Sequence, residues 1–585
     1  MKQRRSTVVF VMVSLCLSGA ARGQILPPPP ERPQYDENGV DVQSRAHQFV
    51  HKGVSIGPEG HFGLSHVDYF SGDYLRHSFS NMLYVAVENN VSSEVVHLGN
   101  ISESFSNATP TNGMGSSVTA SSYTTRDGTT INFGSHGFGY TDSETLSTYN
   151  WSYADSVVFP DGVKLTLHYR DAVGGAYGLT YTRLQSVTSN TGYQLKYYYL
   201  TDTLTSAPES PAQWWTVTRV VAINNAVEYC NPTADSCSLT NTWPEAQYAT
   251  GTTLRMTDAA GIVTVSGGLA SYYVETPSGP VNSRTYTTGS YYHPSIGTVY
   301  GITQANVDGK ITTYDYAYAN NTTTVNSYGP ISDNRTYVAN WGEPGILSFK
   351  NALNNTAQFT YDWFGRLKTA TSPEGNSTAF VYDNDPSMTP SWVNARGNIT
   401  LATAYPKSGS GLTPLSESWV FPSTCTNPKT CNKPTSYTDP RGNTTSYQYD
   451  STHGGKVRET LPAVLVNGQS IQPVKRFVFG PQQAYIKNPN GSGFIAANGQ
   501  VWMLTEERTC LATATVGNAC AGGAADEVVT TFDYGLQNGS VGNNLLVRGK
   551  VVTHNGESRR TCYGYDNLGN KISETLPRAG LTSCP

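Results

Sequence analysis

The 585 residues carry a formal net charge of −5 and a pI near 6.1, a balance that offers no electrostatic basis for nucleic-acid binding. Charged residues make up 14%, while 38 tyrosines and 56 glycines accompany abundant Thr, Ser and Asn. That composition is too aromatic and too weakly charged for a disordered chain, and too poor in helix formers for a helical one. The expected fold class is all-β.

Residues 1–23 read as a secretory signal. Lys2, Arg4 and Arg5 form the positive region, Val8 to Leu17 a short apolar stretch, and Ala21-Arg22-Gly23 or Gly19-Ala20-Ala21 a cleavage site. No later segment approaches the twenty apolar residues of a membrane-spanning helix, so no transmembrane segment is expected after signal removal. The expected location is secreted, on the cell surface or in the periplasm. Residues 24–34, with Pro27 to Pro30, read as a stiff extended spacer.

Residues 35–205 are expected to form an N-terminal β domain. Six of the eleven histidines lie between His47 and His97: His47, His51, His61, His66, His77 and His97. His47 and His51 have the i, i+4 spacing of a helical metal site, but their surroundings read as strand and turn, and no zinc-hydrolase glutamate lies between them. They are expected to be scattered surface positions, with no metal. Arg126-Asp127-Gly128 reads as an Asp-Gly turn between strands. Tyr197-Tyr198-Tyr199, and later Tyr272-Tyr273 and Tyr291-Tyr292, read as strand filler, or alternatively as aromatic faces for sugar.

From residue 206 to 585 the chain becomes self-similar. Residues 359–383 run from Phe-Thr-Tyr361-Asp362 through Gly365-Arg366-Leu367 and Pro373-Glu-Gly375 to Tyr382-Asp383, a 21-residue return. Asp439-Pro-Arg-Gly442 leads into Tyr449-Asp450 and Leu461-Pro462, and Tyr565-Asp566-Asn-Leu-Gly569 is followed by Leu576-Pro577. The clearest units span 351–383, 437–462 and 556–580. Weaker echoes are Gly309 to Asp315, Arg396-Gly397-Asn398, Thr257-Asp258-Ala-Ala-Gly261 and Phe532-Asp533-Tyr534-Gly535. Alternating apolar residues flank each turn, Asp bonds the turn backbone and Gly supplies positive φ, so each unit reads as a hairpin that buries its Tyr/Phe face only by stacking on neighbours.

The eight cysteines beyond the signal fall in local pairs: Cys230 with Cys237, Cys425 with Cys431, Cys510 with Cys520, and Cys562 with Cys584. An exported chain favours disulfides over zinc, each restricting the unfolded chain by roughly 2–3.5 kcal/mol.

The Tyr-Asp-x-x-Gly-Arg-Leu pattern, with its downstream Pro-x-Gly and returning Tyr-Asp, resembles Rhs/YD-repeat proteins. Gly39-Val40-Asp41-Val42, Val54-Ser55-Ile56-Gly57-Pro58, Phe159-Pro160-Asp161-Gly162 and the run Arg183 to Tyr197 resemble segments that precede the repeats in bacterial members. The resemblance implies a long β-sheet spiralling into a shell, often around a toxic C-terminal domain. This chain has few clear repeats and stops within a repeat-like segment at Pro585, so it is expected to be a short or truncated member.

The catalytic motifs sought are missing: there is no Gly-x-Ser-x-Gly elbow, no phosphate loop and no dinucleotide fingerprint. Asp315, Asp362, Asp383, Asp450 and Asp566 recur at turn positions, which points to a structural job. The expected function is non-enzymatic and cofactor-free: a structural protein, part of a β-shell around a polypeptide cargo or a downstream repeat or toxin segment. The alternative is a surface adhesin that binds a surface glycan through Tyr-rich strands.

Overall fold

The computed structural model describes residues 36–584, less the stretch 384–395 and shorter breaks of one to five residues. The signal and the Pro-rich spacer lie outside the described residues. The chain is all-β: the described residues include one α-helix, Ser210–Trp215, and the rest of the regular structure is almost entirely antiparallel strand. Alternation drives this arrangement. In Thr322–Tyr328, Thr323, Val325 and Ser327 are buried while their neighbours are not, the period-two pattern of a pleated strand.

From Thr148–Val158 to Lys571–Thr575 each strand pairs antiparallel with the next, so one sheet runs hairpin by hairpin through most of the chain. Three small hairpins loop out of it, at Val464–Ile471, Tyr485–Ala496 and Thr515–Cys520. The sheet does not close into a barrel; Lys571–Thr575 pairs with Glu557–Tyr565 and forms its edge. Strand Asn81–Glu88 pairs with the first half of Thr148–Val158 and starts a branch that continues into Val91–Leu98 and Ile101–Ser106.

Three N-terminal strands, β1 (Gln48–Ile56), β2 (Leu64–Ser71) and β3 (Tyr74–His77), make a separate sheet. It packs on strands Tyr193–Tyr199, Val217–Asn224 and Glu245–Ala249, where the largest apolar core lies. Residues 183–187 and 193–197 are buried on both faces, because the Cys230–Cys237 loop covers the other side. Gln185 Nε2 donates to Ala234 O at 3.1 Å, Ser186 Oγ to Pro232 O at 2.7 Å, and Lys196 Nζ to Pro232 O at 3.2 Å. Lys196 is fully buried, which pushes its ammonium down to about 8. The boundary drawn at 205/206 falls just before the short helix; strands Tyr193–Tyr199 and Val217–Asn224 pair across it.

The sheet curls until late turns meet early ones. Gly57 N donates to Leu568 O at 2.9 Å and Trp502 N to Asp161 O at 2.7 Å. Asn224 Nδ2 reaches Asn567 O at 2.8 Å, Asn544 Nδ2 reaches Thr191 O at 2.9 Å, and Arg126 Nη2 reaches Asn398 Oδ1 at 2.6 Å. These turn-to-turn bonds satisfy polar groups that would otherwise sit dry at the seam.

Gly569 occupies this seam with φ +88°, and a Cβ there would lie 2.7 Å from Tyr193 Oη and 3.1 Å from the Gly57 Cα. Gly569→Ala is expected to loosen the strands Glu557–Tyr565 and Lys571–Thr575, read as faster hydrogen exchange. Gly556→Ala is the control: its φ is +80° with open space around the Cβ, so it bears about 1–2 kcal/mol of backbone cost alone. Equal effects of the two substitutions would mean the seam contributes nothing.

Candidate functional site

One turn geometry punctuates the sheet. Asp566 N donates to Asn570 O at 3.0 Å and Gly569 N to Asp566 O at 3.1 Å, while Asp566 Oδ1 accepts from Leu568 N and Asn570 N. Burial would raise the Asp566 carboxyl, but the bonds from Asn570, Leu568 and Gly569 outweigh it and hold it below the ordinary carboxylate range. Asp362 with Gly365, Asp439 with Gly442 and Asp258 with Gly261 repeat the pattern. In each the glycine has φ between +72° and +82°, the left-handed conformation that favours glycine. Asp450 closes a longer version on Gly455 O, and Asp383 bonds Asn398 N and Nδ2 across residues 384–395.

The tyrosine before Asp362, Asp383 and Asp566 has a separate job. A register shift falls immediately before Tyr361, Tyr382, Tyr449 and Tyr565. Such a bulge re-aims a side chain. Tyr361 Oη donates to Ile346 O at 2.9 Å, Tyr382 Oη to Leu367 O at 2.8 Å and Tyr565 Oη to Val547 O at 2.9 Å. The 21-residue return thus has a physical cause: the hydroxyl of one repeat caps the carbonyl just after the previous repeat's turn. Arg366 joins them, ion-paired to Asp362 at 2.6 Å with its guanidinium 4.4 Å from the centre of the Tyr382 ring.

The same staple occurs outside the clear repeats, as Tyr169 to Ala154 O, Tyr199 to Leu184 O and Tyr316 to Ile302 O. Sequence reasoning missed it; the signal available was a tyrosine 14 or 15 residues after an apolar residue. Tyr382→Phe is expected to cost about 1 kcal/mol in urea denaturation, because it strips one bond from a sheltered carbonyl. The exposed Tyr405→Phe should stay within about 0.5 kcal/mol.

Residues 36–42 lie across this tyrosine-bearing face on strands Gly279–His293 to Ile346–Lys350. They form the same turn: Asp36 N donates to Val40 O at 2.9 Å, Gly39 N to Asp36 O at 3.0 Å, and Asp36 Oδ1 accepts from Asn38 N and Val40 N. Tyr35-Asp36-Glu-Asn-Gly39 is therefore a further copy of the Tyr-Asp-x-x-Gly pattern in the sequence, unnoticed because no alternating apolar residues precede it there.

A second constellation fastens the N-terminal sheet. Asp68 Oδ2 lies 3.2 Å from His51 Nδ1 and accepts from Tyr248 Oη at 2.7 Å; its Oδ1 lies 3.0 Å from His66 Nε2. His66 Nδ1 is 3.0 Å from Tyr197 Oη, and the His77 ring centre is 5.3 Å from that of His66. The surface placement expected for the histidines is corrected here: His51 and His66 are buried because β1 and β2 form one layer of a two-sheet core, and His47 is buried against the Tyr286 ring. Burial acts to raise the Asp68 carboxyl, yet the bonds from His51, His66 and Tyr248 hold it well below the usual carboxylate range.

A cavity of about 560 Å³ opens beside this clamp, walled by His66, Arg76, His77, Tyr169, Arg183 and Trp215 among others. Both ring nitrogens of His66 and both oxygens of Asp68 already face partners within the cluster, so the arrangement is an interlocked polar clamp. Tyr197 is fully buried in it, Tyr199 is a staple, and Tyr198 lies half-buried with Arg219 4.1 Å above its ring. The side chains of Tyr272, Tyr291 and Tyr292 lie outside the described residues.

Cys230–Cys237, Cys425–Cys431, Cys510–Cys520 and Cys562–Cys584 are disulfide-bonded. Among the described residues the one group of three metal-type donors is Cys510, Cys520 and Asp526, and its two sulfurs are spent on each other. Among the described residues no helix is long and apolar enough to cross a membrane.

Among the solved structures similar to this chain, two show the extent of the likeness. The crystal structure of TcdB2-TccC3 shares 12% identity with a TM-score of 0.28, covering 87% of this chain and 28% of that one. The Photorhabdus luminescens Tc holotoxin pore shares 13% identity with a TM-score of 0.27, covering 89% of this chain and 28% of that one. The chain thus spans little more than a quarter of the length of the structures it matches. No protein-family model and no curated protein matches it.

Proposed function

We propose that this chain is an exported, non-enzymatic YD-repeat structural protein, part of a β-shell that encloses or presents a partner or toxin polypeptide. The observation that carries the reading is the seam: turns 272 to 511 residues apart in the chain bond to one another, so the sheet curls back onto its own beginning. A single sheet that curls and remains antiparallel throughout makes a wall with an inside and an outside. In this reading residues 35–205 form the starting domain and 206–585 the repeat wall. Tyr361, Asp362, Gly365, Tyr382, Asp383, Tyr449, Asp450, Tyr565, Asp566 and Gly569 set its curvature and register, and the four disulfides brace loops exposed to an oxidising compartment.

The test is protease protection in the complex purified from the host. A co-purifying polypeptide that resists proteolysis until the seam is opened by Gly569→Ala supports enclosure. Full digestion of that polypeptide in the intact complex would sink it.

A further inference from the structure

The segment 36–42 behaves as a ligand seated in a receptor built by the same chain. Its turn is closed by its own bonds, it is tied to the strand that follows by a bridge between Val40 and His47, and otherwise it is held by side chains about 250 to 300 residues away. Those side chains read each feature of the turn. Tyr314 Oη donates to Asp36 Oδ2 at 2.6 Å, and Tyr286 Oη donates to Asn38 O at 2.7 Å. The Glu37 carboxylate lies 2.7 Å from Arg335 and 3.3 Å from Lys310. Val40 and Val42 are 0% and 1% exposed in an apolar floor that includes Ile302, Val325 and Ile346. Thr323 Oγ1 donates to Val42 O at 2.8 Å.

We propose that this trough is a docking site for an Asp-Glu-x-Gly-Val turn, filled here in cis, and that it takes the same turn from a partner polypeptide. The partner's chemistry follows from the contacts. It presents a tight turn opened by an aspartate, a second acid to meet Arg335 and Lys310, a glycine at the fourth position and branched aliphatic residues after it. Charge supplies orientation and the valine floor supplies burial, the division of labour seen in peptide recognition. The seam uses the same device, since the Asp566–Asn570 turn sits against Gly57 and Tyr193. The inference rests on contacts within one chain and stands whether or not the sheet encloses anything.

The experiment uses the full chain and a fluorescent synthetic peptide of residues 34–46. Val40→Asp with Val42→Asp should eject the resident turn. The ejected variant is expected to bind the peptide saturably, while the unmodified chain does not. Adding Arg335→Glu, or changing Glu37 of the peptide to Lys, should weaken binding at least tenfold. No binding by an ejected variant whose strands Lys310–Ala317 and Thr322–Tyr328 keep their hydrogen-exchange protection would overturn the proposal. If ejection unfolds those strands, exchange in the unmodified chain decides. Opening of the Val40 and Asp41 amides well ahead of the strands is expected, and equal rates would overturn it.

Discussion

Asp68→Ala is expected to release β1–β3 from the main sheet and to cost about 3–5 kcal/mol, the range for removing one partner from a buried charged cluster. Asp68 is 3% exposed and joins three elements: His51 on β1, His66 beside it on β2, and Tyr248 on the strand Glu245–Ala249. Removing the carboxylate leaves two imidazoles and a phenol facing a dry gap, since each loses a bond it cannot replace from water. Asp68→Asn keeps the shape and can still accept from Tyr248, so it should cost markedly less. The measurement is urea denaturation, paired with hydrogen exchange in Leu64–Ser71. A loss below about 1 kcal/mol for Asp68→Ala would show that burial of the apolar residues alone holds this layer.

Acidification should destabilise the protein in two separate windows. Burial lowers His47 to about 4, with Arg284 adding to the effect, and lowers His168 to about 4, with Lys196 adding. Burial lowers His77 to about 3, with His66 adding and Asp68 opposing. In the unfolded chain these imidazoles titrate near about 6.5, so below that pH the unfolded state binds more protons than the folded one. Stability is therefore full above about pH 6.5 and falls as pH drops toward the folded values, by about 1–3 kcal/mol for each histidine. The Asp68 carboxylate works in the lower window. Its folded pKa is depressed, so its contribution is present above the unfolded carboxylate value of about 4 and is lost as pH falls further. Denaturation midpoints should thus already decline between pH 7.5 and about 5.5, above the range in which ordinary carboxylates titrate. His77→Gln should remove part of that decline and leave the lower window in place. A flat profile down to pH 4.5 would overturn the assignment.

The sequence by itself determined what depends on neighbours in the chain. An all-β fold was legible because period-two alternation and turn chemistry are local properties. The Asp-x-x-Gly turn satisfies its own backbone within five residues, as Asp566 to Asn570 do, so its specification is written where it folds. The cysteine pairs, 6 to 22 residues apart, are of the same local kind.

Tertiary structure decided everything that depends on which distant strand lies opposite. The histidines of β1 and β2 were misplaced on the surface because the phenols that cover them, Tyr197 and Tyr248, lie 131 and 182 residues beyond His66. The tyrosine staple was invisible because it needs a carbonyl on a neighbouring strand and, at Tyr361, Tyr382 and Tyr565, a bulge, which is an event between two strands, not within one. The turn at 36–42 carries the same residues as a repeat, yet its role comes from Tyr286, Tyr314 and Arg335, which only the curl of the sheet brings beneath it. Local chemistry shaped the hairpins, and long-range burial selected which faces and which turns meet.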